Sequence, residues 1–533
     1  SRYYNPLSSA GPKSGSDAQT AKGFIEYGKL ISSTSLNYVR TFAHKHHLDV
    51  LAAYEIESYQ TDHASGEKSK LPSDKLTEPD NAAVLNSFKS ATQAYRMISY
   101  LSRLNYDYDD RYYIAGSYRR DGSSRLSPNN RWGNFWSVSG MWHLGNENFM
   151  KAVKPVLSDV KIRASYGVNG NQPGSYYGYK GLYSYGENYM EAAGSYESAQ
   201  PNDLLTWEKN YSLNLGIDLS FINRIFASLE YYNRDTKDLL YSLPISATTG
   251  FTSYLSNIGR LNNKGVEFEL RTLNVVSNDF NWTSVFNLSH NRNKIVSLNG
   301  LLDQTIEGTW FIHKVGLPYH TFYVKEFAGV DPLTGSAQYY LNTKNEDGSY
   351  NRELTTDAAK AESIPYKTAT PKVSGGFTNI LNYKWIDLTF TLTYSLGGYS
   401  FDKLGTYIEN GSSSIYSSRY NLPAYMMNRW QKPGDQTDTP RFVYGEPATS
   451  TNSSRYIHST DHLRLKNFTL GFTLPNQWTQ KLMIDKVRVY FSGNNLLTWA
   501  KWKQYDPETP VNGEVFCEAP AMRTFSFGAQ LSF

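Results

Sequence analysis

Several features that would define common protein classes are missing from this 533-residue sequence. It contains no run of about 18 apolar residues, so no segment could cross a membrane as a helix. Its single cysteine, Cys517, excludes an internal disulfide and a cysteine-based zinc site. The formal net charge is only +4, and lysine and arginine form no basic block, so we expect no nucleic-acid partner.

A secretion signal is missing at the first residues, which read Ser-Arg-Tyr-Tyr. A secreted protein needs such a signal. If this chain is secreted, we therefore expect an upstream portion to have been processed off or to lie outside this sequence.

Aromatic residues are abundant although the chain is polar on average. They make up 15% of the residues, as 43 Tyr, 25 Phe and 11 Trp. A membrane β-barrel gives this composition because only alternate residues face lipid, and Tyr and Trp collect at the two interfaces. A large secreted β-protein, such as an adhesin, is the other source of such a composition.

Long segments alternate strictly between apolar and polar residues. In residues 386–396, Ile, Leu, Phe, Leu, Tyr and Leu alternate with Asp, Thr, Thr, Thr and Ser. Residues 211–220 repeat the pattern, and shorter copies lie at 160–166 and 486–492. Successive side chains of a strand point to opposite faces, so each segment has one apolar and one polar face. Globular strands usually have five or six residues, whereas a tilted strand that crosses a bilayer needs about 9–11, so the length favours a membrane barrel.

This alternation predicts an all-β, transmembrane antiparallel β-barrel with fifteen strands. We predict them near 22–39, 47–60, 94–108, 111–122, 132–145, 157–169, 205–221, 223–238, 261–275, 280–296, 372–383, 384–398, 460–475, 484–498 and 520–533.

Short and long connectors alternate between these strands, as periplasmic turns and extracellular loops do in outer-membrane barrels. The large extracellular loops are predicted at about 61–93, 170–204, 239–260, 297–371, 399–459 and 499–519. Single-chain bacterial barrels have even strand counts, and open strand edges cannot face lipid. An odd count therefore indicates either that the count is wrong by one strand or that upstream strands complete the barrel. We favour the second interpretation, in which residues 1–533 are the C-terminal portion of the barrel.

The C-terminus ends in an alternating segment whose last residue is aromatic. Ser526, Gly528, Leu531 and Phe533 resemble the terminal signal that barrel-assembly machinery recognises: a polar residue, a glycine and two final apolar residues. An ordinary edge strand that finishes on Phe is the alternative.

Ten short stretches, in order along the chain, resemble the C-terminal half of SusC/RagA-type TonB-dependent transporters of the Bacteroidota. They are Arg120–Arg125, Pro128–Gly133, Lys161–Gly167, Gly170–Gln172, Pro201–Lys209, Asn257–Gly259, Asn263–Glu267, Leu463–Asn467, Gly493–Trp499 and Tyr505–Glu508. Each stretch alone is a weak signal, and their shared order is a strong one.

The resemblance implies a 22-stranded barrel in the bacterial outer membrane, whose N-terminal half, plug and TonB contact lie outside this sequence. It implies a SusD-like surface lipoprotein as a lid, the TonB complex as the energy source, and oligosaccharides or oligopeptides as cargo. No cofactor is implied. A passive outer-membrane porin and a surface adhesin are the alternatives.

No catalytic set is recognisable, so we do not expect an enzyme. His44, His46 and His47 cluster in a predicted turn, where a solvated polar turn is the simpler interpretation. His458 and His462 are four apart, which on a strand separates them by about 13 Å, too far to share a metal ion.

Function is then expected on the lumen face and in the loops. Predicted lumen-facing residues are Lys161, Arg163, Asp218, Glu230, Glu267, Glu269, Arg271, Asp387, Lys486 and Arg488. Loop aromatics that could contact substrate are Tyr176, Tyr177, Tyr179, Trp310, Tyr319, Phe322 and Tyr323, because flat rings stack on sugars and grip peptide side chains. A polar water-filled bore, a lipid-interface belt and loop packing are the alternative explanations.

Overall fold

One large sheet dominates the chain, and its strands lie in space in the order of the sequence. The computed structural model describes residues 2–5, 18–73, 75–190, 192–298, 304–307, 310–409, 421–443, 452–479, 484–508 and 512–532. The sheet strands are β1 (Arg2–Asn5), β2 (Gln19–Phe42), β3 (His46–Ser69), β4 (Val84–Tyr108), β5 (Tyr112–Ser123), β6 (Trp132–His143), β7 (Leu157–Asn171), β8 (Glu208–Phe221), β9 (Ile225–Lys237), β10 (Arg260–Val276), β11 (Phe280–Ser297), β12 (Val373–Tyr383), β13 (Ile386–Leu396), β14 (His462–Thr473), β15 (Lys486–Ala500) and β16 (Thr524–Ser532).

Antiparallel pairing carries the sequence alternation from strand to strand. In β12 and β13, Phe377 lies opposite Leu392 and Leu381 opposite Leu388, so apolar side chains pair on one face. Asp387 lies opposite Asn382 on the other face. Each strand therefore continues an apolar face and a polar face of the sheet.

All fifteen predicted strands are present, and β1 is an additional strand that we did not predict. The sheet therefore has sixteen strands among the described residues, and the predicted odd count was wrong. The prediction of a loop over residues 61–93 was wrong at both ends, because β3 continues to Ser69 and β4 begins at Val84. The two strands pair along this whole length. The outer part of β3 is polar on both faces, and in the outer part of β4 the exposed Val84, Leu85 and Phe88 do not alternate regularly with polar residues. The alternation is therefore lost while the backbone pairing continues.

The predicted loops contain small sheets of their own. Hairpins form from Leu182–Tyr189 with Ala192–Ala199 and from Leu240–Pro244 with Ser253–Asn257. Further strands are Gln304–Glu307, Phe311–Lys314, Thr321–Lys325, Phe327–Val330, Ala337–Tyr340, Leu354–Thr355, Ser363–Thr368, Tyr399–Asp402, Ile457–Ser459 and Glu514–Val515. Two short α-helices are Lys403–Ile408 and Asn476–Thr479, and no helix in the described ranges is long and apolar enough to span a bilayer.

The chain divides into two compact units. One consists of Ser1–Gly140, Ser165–Tyr211 and Thr236–Ile258, and the other of Met141–Ala164, Ser212–Asp235 and Gly259–Phe533. The first unit has a buried core of Leu126, Phe135, Val168, Leu205 and Trp207. The second has a buried core of Phe311, Phe322, Val324, Ala369, Phe401, Tyr456 and Ile457.

The core of the first unit explains several of the short stretches noted in the sequence. Trp207 packs edge-on against Phe135 with ring centroids 5.3 Å apart, and its Nε1 donates to the Arg131 carbonyl over 2.9 Å. A Cβ atom on Gly170 would lie only 2.2 Å from the Phe135 ring. These stretches are therefore packing determinants of this unit.

Gly170→Ala is expected to destabilise the first unit, because the new methyl group must displace the buried Phe135 ring. Overpacking of this kind costs about 1–3 kcal/mol. Thermal unfolding of the purified protein in detergent measures the loss. Gly174→Ala is the matched control, since nothing lies within 4 Å of its added Cβ atom. Equal unfolding temperatures for the two variants would contradict this account.

Candidate functional site

A network of ion pairs connects strands β7, β8 and β9 on their polar face. Arg163 contacts the Glu230 carboxylate at 2.8 Å and the Asp218 carboxylate at 3.2 Å. The Ser228 hydroxyl donates to Asp218 over 2.6 Å. The three charged side chains are each about one-quarter to one-third exposed, so water screens their attraction. The network orients hydrogen-bonding groups in contact with water.

Acidic side chains lie beside this network on β10. Glu267 and Glu269 are both exposed and point to the same face, two residues apart. They line a cavity of about 410 Å³ together with Arg163 and Glu230. Glu269 also lines an adjoining cavity of about 290 Å³, which contains Lys161 and its partner Asp159 at 3.5 Å. This surface can donate to and accept from a polar solute.

The other predicted lumen residues lie apart from these cavities. Arg488 makes a two-pronged ion pair with Asp387, at 2.5 and 2.9 Å. The Arg271 guanidinium lies 5.7 Å from the centre of the Phe226 ring. Lys486 is exposed at the start of β15. The structure thus gathers six of the ten predicted residues into one group and leaves these four outside it.

Two of the loop aromatics predicted to contact substrate are instead packing residues. Phe322 is fully buried and stacks on Phe311 with ring centroids 5.0 Å apart. Trp310 stacks on Phe401 at 4.6 Å, and its Nε1 donates to Glu514 over 3.0 Å. Alternation in the short strand Thr321–Lys325 turns Phe322 into the core, so its ring offers no face to a ligand.

The other two aromatics predicted to contact substrate in that loop, Tyr319 and Tyr323, are half-buried. Tyr319 stacks on His313 with ring centroids 4.2 Å apart. Tyr323 follows Phe322 in the short strand, and its backbone amide donates to the Trp310 carbonyl over 2.7 Å. Burial raises the pKa of the Tyr323 phenol above its ordinary value, and the nearby Glu362 adds to this shift.

A stack of three tyrosines forms in the first unit around Tyr176. Tyr59 and Tyr95 are cross-strand partners on β3 and β4, with ring centroids 5.3 Å apart. Tyr176, from the loop after β7, stacks on Tyr95 at 5.7 Å and lies 6.2 Å from Tyr59. The Arg125 guanidinium lies 4.0 Å from the centre of Tyr95 and 4.6 Å from that of Tyr176. We call Tyr59, Tyr95, Tyr176 and Arg125 the tyrosine stack.

An ion pair supports this stack from one side. The Tyr95 hydroxyl donates to Glu57, which Lys29 approaches to 3.2 Å. The Arg125 Nη1 donates to the Pro173 carbonyl over 2.9 Å, whereas its buried Nε has no hydrogen-bond partner among the described residues. Sequence reasoning found Tyr176 but missed Tyr59, Tyr95 and Arg125. The register of β3 against β4 is the signal that would have paired the first two.

The neighbouring loop tyrosines are held differently. Tyr177 accepts a hydrogen bond from the Ala94 amide at 3.1 Å, and Lys180 lies 5.5 Å from its ring centre and 5.7 Å from that of Tyr179. Both tyrosines are half-buried, so each keeps part of its ring accessible.

Comparison with known proteins identifies the family. The profile described as "TonB dependent receptor-like, beta-barrel" matches residues 2–496. The chain belongs to this family.

Two curated relatives of this TonB-dependent receptor-like barrel match most of its length. TonB-dependent receptor P3 of Formosa agariphila is 31% identical over 96% of this chain and 53% of its own length. TonB-dependent receptor SusC of Bacteroides thetaiotaomicron is 31% identical over 88% of this chain and 47% of its own length. The chain therefore spans about half the length of the curated relatives that it matches.

A solved structure shows the same architecture. The structure titled "Structure of the RagAB peptide transporter" superimposes with a TM-score of 0.86 at 28% identity, over 97% of this chain and 56% of that one. The resemblance to SusC and RagA inferred from the sequence is confirmed, as is the all-β barrel class. Proteins of this family are β-barrels of the outer membrane.

The last strand of the TonB-dependent receptor-like barrel contains three of the four predicted assembly-signal residues. Ser526, Gly528 and Leu531 lie in β16, and Phe533 lies outside the described residues. A Cβ atom on Gly528 would lie 2.4 Å from the ring of Tyr490, its cross-strand partner. Gly528 thus has a packing role, and the assembly role stays a prediction.

Two titratable groups are buried in the loops of this barrel. Asp402 accepts from the Gly405 amide over 2.7 Å at the start of helix Lys403–Ile408, and burial raises its pKa to about 6. His458 stacks on Trp502 with ring centroids 4.6 Å apart, and burial lowers its pKa to about 4. Burial therefore shifts both groups towards their neutral forms in the folded loops.

Phe322→Ala is expected to loosen the loop core of the second unit by about 3–5 kcal/mol, because it removes a fully buried ring. Hydrogen exchange of the amides in residues 311–325 measures the effect and should accelerate strongly. Tyr366→Ala removes a partly exposed ring of the same loop and serves as the control. Unchanged exchange in Phe322→Ala would show that this side chain does not support the core.

Acidification is expected to destabilise the loop around His458. Because its pKa falls from 6.5 to about 4 on folding, its contribution is fully present above pH 6.5 and is lost as the pH falls towards 4. The loss at pH 5 is about 2 kcal/mol. Asp402, with its raised pKa, acts in the opposite direction over this range, so the pH profile alone is not decisive.

Hydrogen exchange of the amides around residue 458, compared between the parent and His458→Phe, measures the contribution of the His458 titration. The phenylalanine keeps a ring stacked on Trp502. Relative to the parent, this variant should gain protection at pH 5 and not at pH 7.5. Making both measurements in an Asp402→Asn background removes the opposing titration. The same difference at both pH values would contradict the assigned shift.

Proposed function

We propose that this protein is part of an active importer that moves oligosaccharides or oligopeptides across the bacterial outer membrane. The proposal depends chiefly on the structural likeness to the RagAB peptide transporter, which extends over 97% of this chain. The relative named SusC supports it. TonB-dependent receptors form a non-enzymatic class, so we assign transport and no catalysis.

The polar face supplies the chemistry that such a cargo needs. Sugars and peptides carry many hydroxyl or amide groups, and the cavities beside Arg163, Glu267 and Glu269 present both donors and acceptors. The tyrosine stack adds flat rings, which contact sugar rings or peptide side chains with little loss of side-chain entropy. We propose that cargo contacts both surfaces during passage.

The same comparison supports a proposal for the partners. We propose that a SusD-like surface lipoprotein caps the extracellular side and that the TonB complex supplies the energy. Both would act with the whole protein. This chain covers only about half the length of its relatives. Barrel-assembly machinery and the lipid bilayer are the remaining proposed partners.

Growth of a deletion strain on single nutrients tests the proposal. Loss of growth on either glycans or peptides alone, restored by the whole gene, is expected and names the cargo class. Growth should also fail when the TonB complex is deleted, because import is energised. A passive porin would remain active without TonB, and a surface adhesin would leave growth on every nutrient unchanged.

Tyr176→Ala in the whole protein is expected to reduce uptake of that cargo severalfold, because it removes one face of the tyrosine stack. The initial rate of uptake of labelled cargo measures the effect. Tyr185→Ala is the matched control, since Tyr185 is a highly exposed tyrosine in the hairpin of the same loop. Equal uptake by the two variants would remove Tyr176 from the cargo path.

A further inference from the structure

The apolar face of strands β10 and β11 changes abruptly into a basic surface. From one end, cross-strand partners on this face are Leu270 with Phe286 and Phe268 with Leu288, then Val266 with His290. The next two pairs are Lys264 with Arg292 and Asn262 with Lys294. The same face is therefore apolar over one stretch and cationic directly beyond it.

The basic residues of this surface differ from other charged residues nearby because they form no ion pairs among the described residues. Lys264, Arg292 and Lys294 are exposed, and no ion pair among the described residues includes them. Arg260, four residues before Lys264 on the same strand, instead forms an ion pair with Asp235 at 2.7 Å. Like charges directly opposite each other destabilise a strand pair, so Lys264 and Arg292 repel each other unless an anion lies between them.

A cavity of about 240 Å³ opens beside these residues. Its lining includes four basic side chains, His290, Arg292, Lys294 and Lys372, and no acidic one. The Nδ1 atom of His290 donates to the Lys372 carbonyl over 2.9 Å, which fixes the wall of the cavity. Thr368 and Thr370 line it as well, and their hydroxyl groups can donate to an anion.

We propose that this surface binds the phosphate-bearing headgroup of an outer-leaflet lipid. The outer leaflet is chosen because this end of β10 and β11 adjoins the predicted extracellular loops at 239–260 and 297–371. In a membrane β-barrel the apolar face contacts acyl chains, so a cationic row directly beyond it lies at headgroup depth. Basic clusters at that depth attract anionic headgroups. The proposal uses the outer-membrane placement given under Proposed function and does not depend on the cargo.

Lipid binding to the purified whole protein in detergent tests the proposal, with monophosphoryl lipid A as the probe and native mass spectrometry as the readout. The double variant Lys264→Gln/Arg292→Gln is expected to bind lipid A with an affinity at least roughly tenfold lower than the parent. Lys344→Gln/Lys360→Gln removes the same charge from exposed loop positions and should bind like the parent. Equal binding by all three proteins would overturn the proposal.

A second variant separates binding from folding. Arg292→Glu replaces the like-charge pair with an ion pair, so the lipid-free protein should unfold at the same or a higher temperature while binding of lipid A is lost. Retained lipid binding by a stable Arg292→Glu protein would overturn the proposal.

The source of the phosphate is tested by competition with inorganic phosphate at millimolar concentration. Lipid A should stay bound, since acyl chains anchor it beside the apolar face. Displacement would show that the site takes free phosphate, which would overturn the lipid assignment. The binding assay contains no cargo, so its failure is distinguishable from a failure of import.

Discussion

Backbone amides and carbonyls have no water to bind within hydrocarbon, and each unpaired group there costs several kcal/mol. A chain without long apolar helices can meet this constraint only by pairing every strand with its neighbours. Strands β2 to β16 meet it through long antiparallel ladders, which run for 24 residues between β2 and β3. The two faces of the sheet, the placement of the polar groups and the basic row at the end of the apolar band all follow from this pairing.

Pairing also explains which parts of the fold could be predicted from sequence. Where one face is apolar and the other polar, as in Ile386–Leu396, the alternation marks the strand to within a few residues. Where the alternation is lost, as in the outer parts of β3 and β4, hydrogen bonding continues without a periodic hydrophobic signal. Strand ends in water are therefore less predictable than strand centres.

The candidate site was predictable to a similar degree. Alternation placed Arg163, Asp218 and Glu230 on one face, since a strand fixes the direction of each side chain, and the structure shows that they are neighbours there. It could not show that Phe322 faces a loop core, because that depends on how three loops fold together. Alternation also could not predict the contact between Arg125 and Tyr176, because these residues are far apart in sequence.

The loops of the second unit form a packed layer. Phe401 pairs in parallel with Glu514, and Trp310 and Lys403 both contact the Glu514 carboxylate. Residues from three loops thus share one core, so aromatic side chains in loops serve packing as well as recognition. The tyrosine stack, in which Tyr59 and Tyr176 are partly exposed, is the stronger candidate for contact with cargo.

A labelling scan of β13 in intact outer membranes tests most directly whether one face of the sheet contacts lipid and the other water. Single cysteines at Leu388, Thr389, Phe390 and Thr391 would be introduced after replacing the exposed Cys517 with alanine. The account predicts that a water-soluble maleimide labels the two threonine positions, and that a lipid-attached quencher reaches probes at the two apolar positions. Labelling that does not alternate, or apolar positions shielded from lipid, would contradict it.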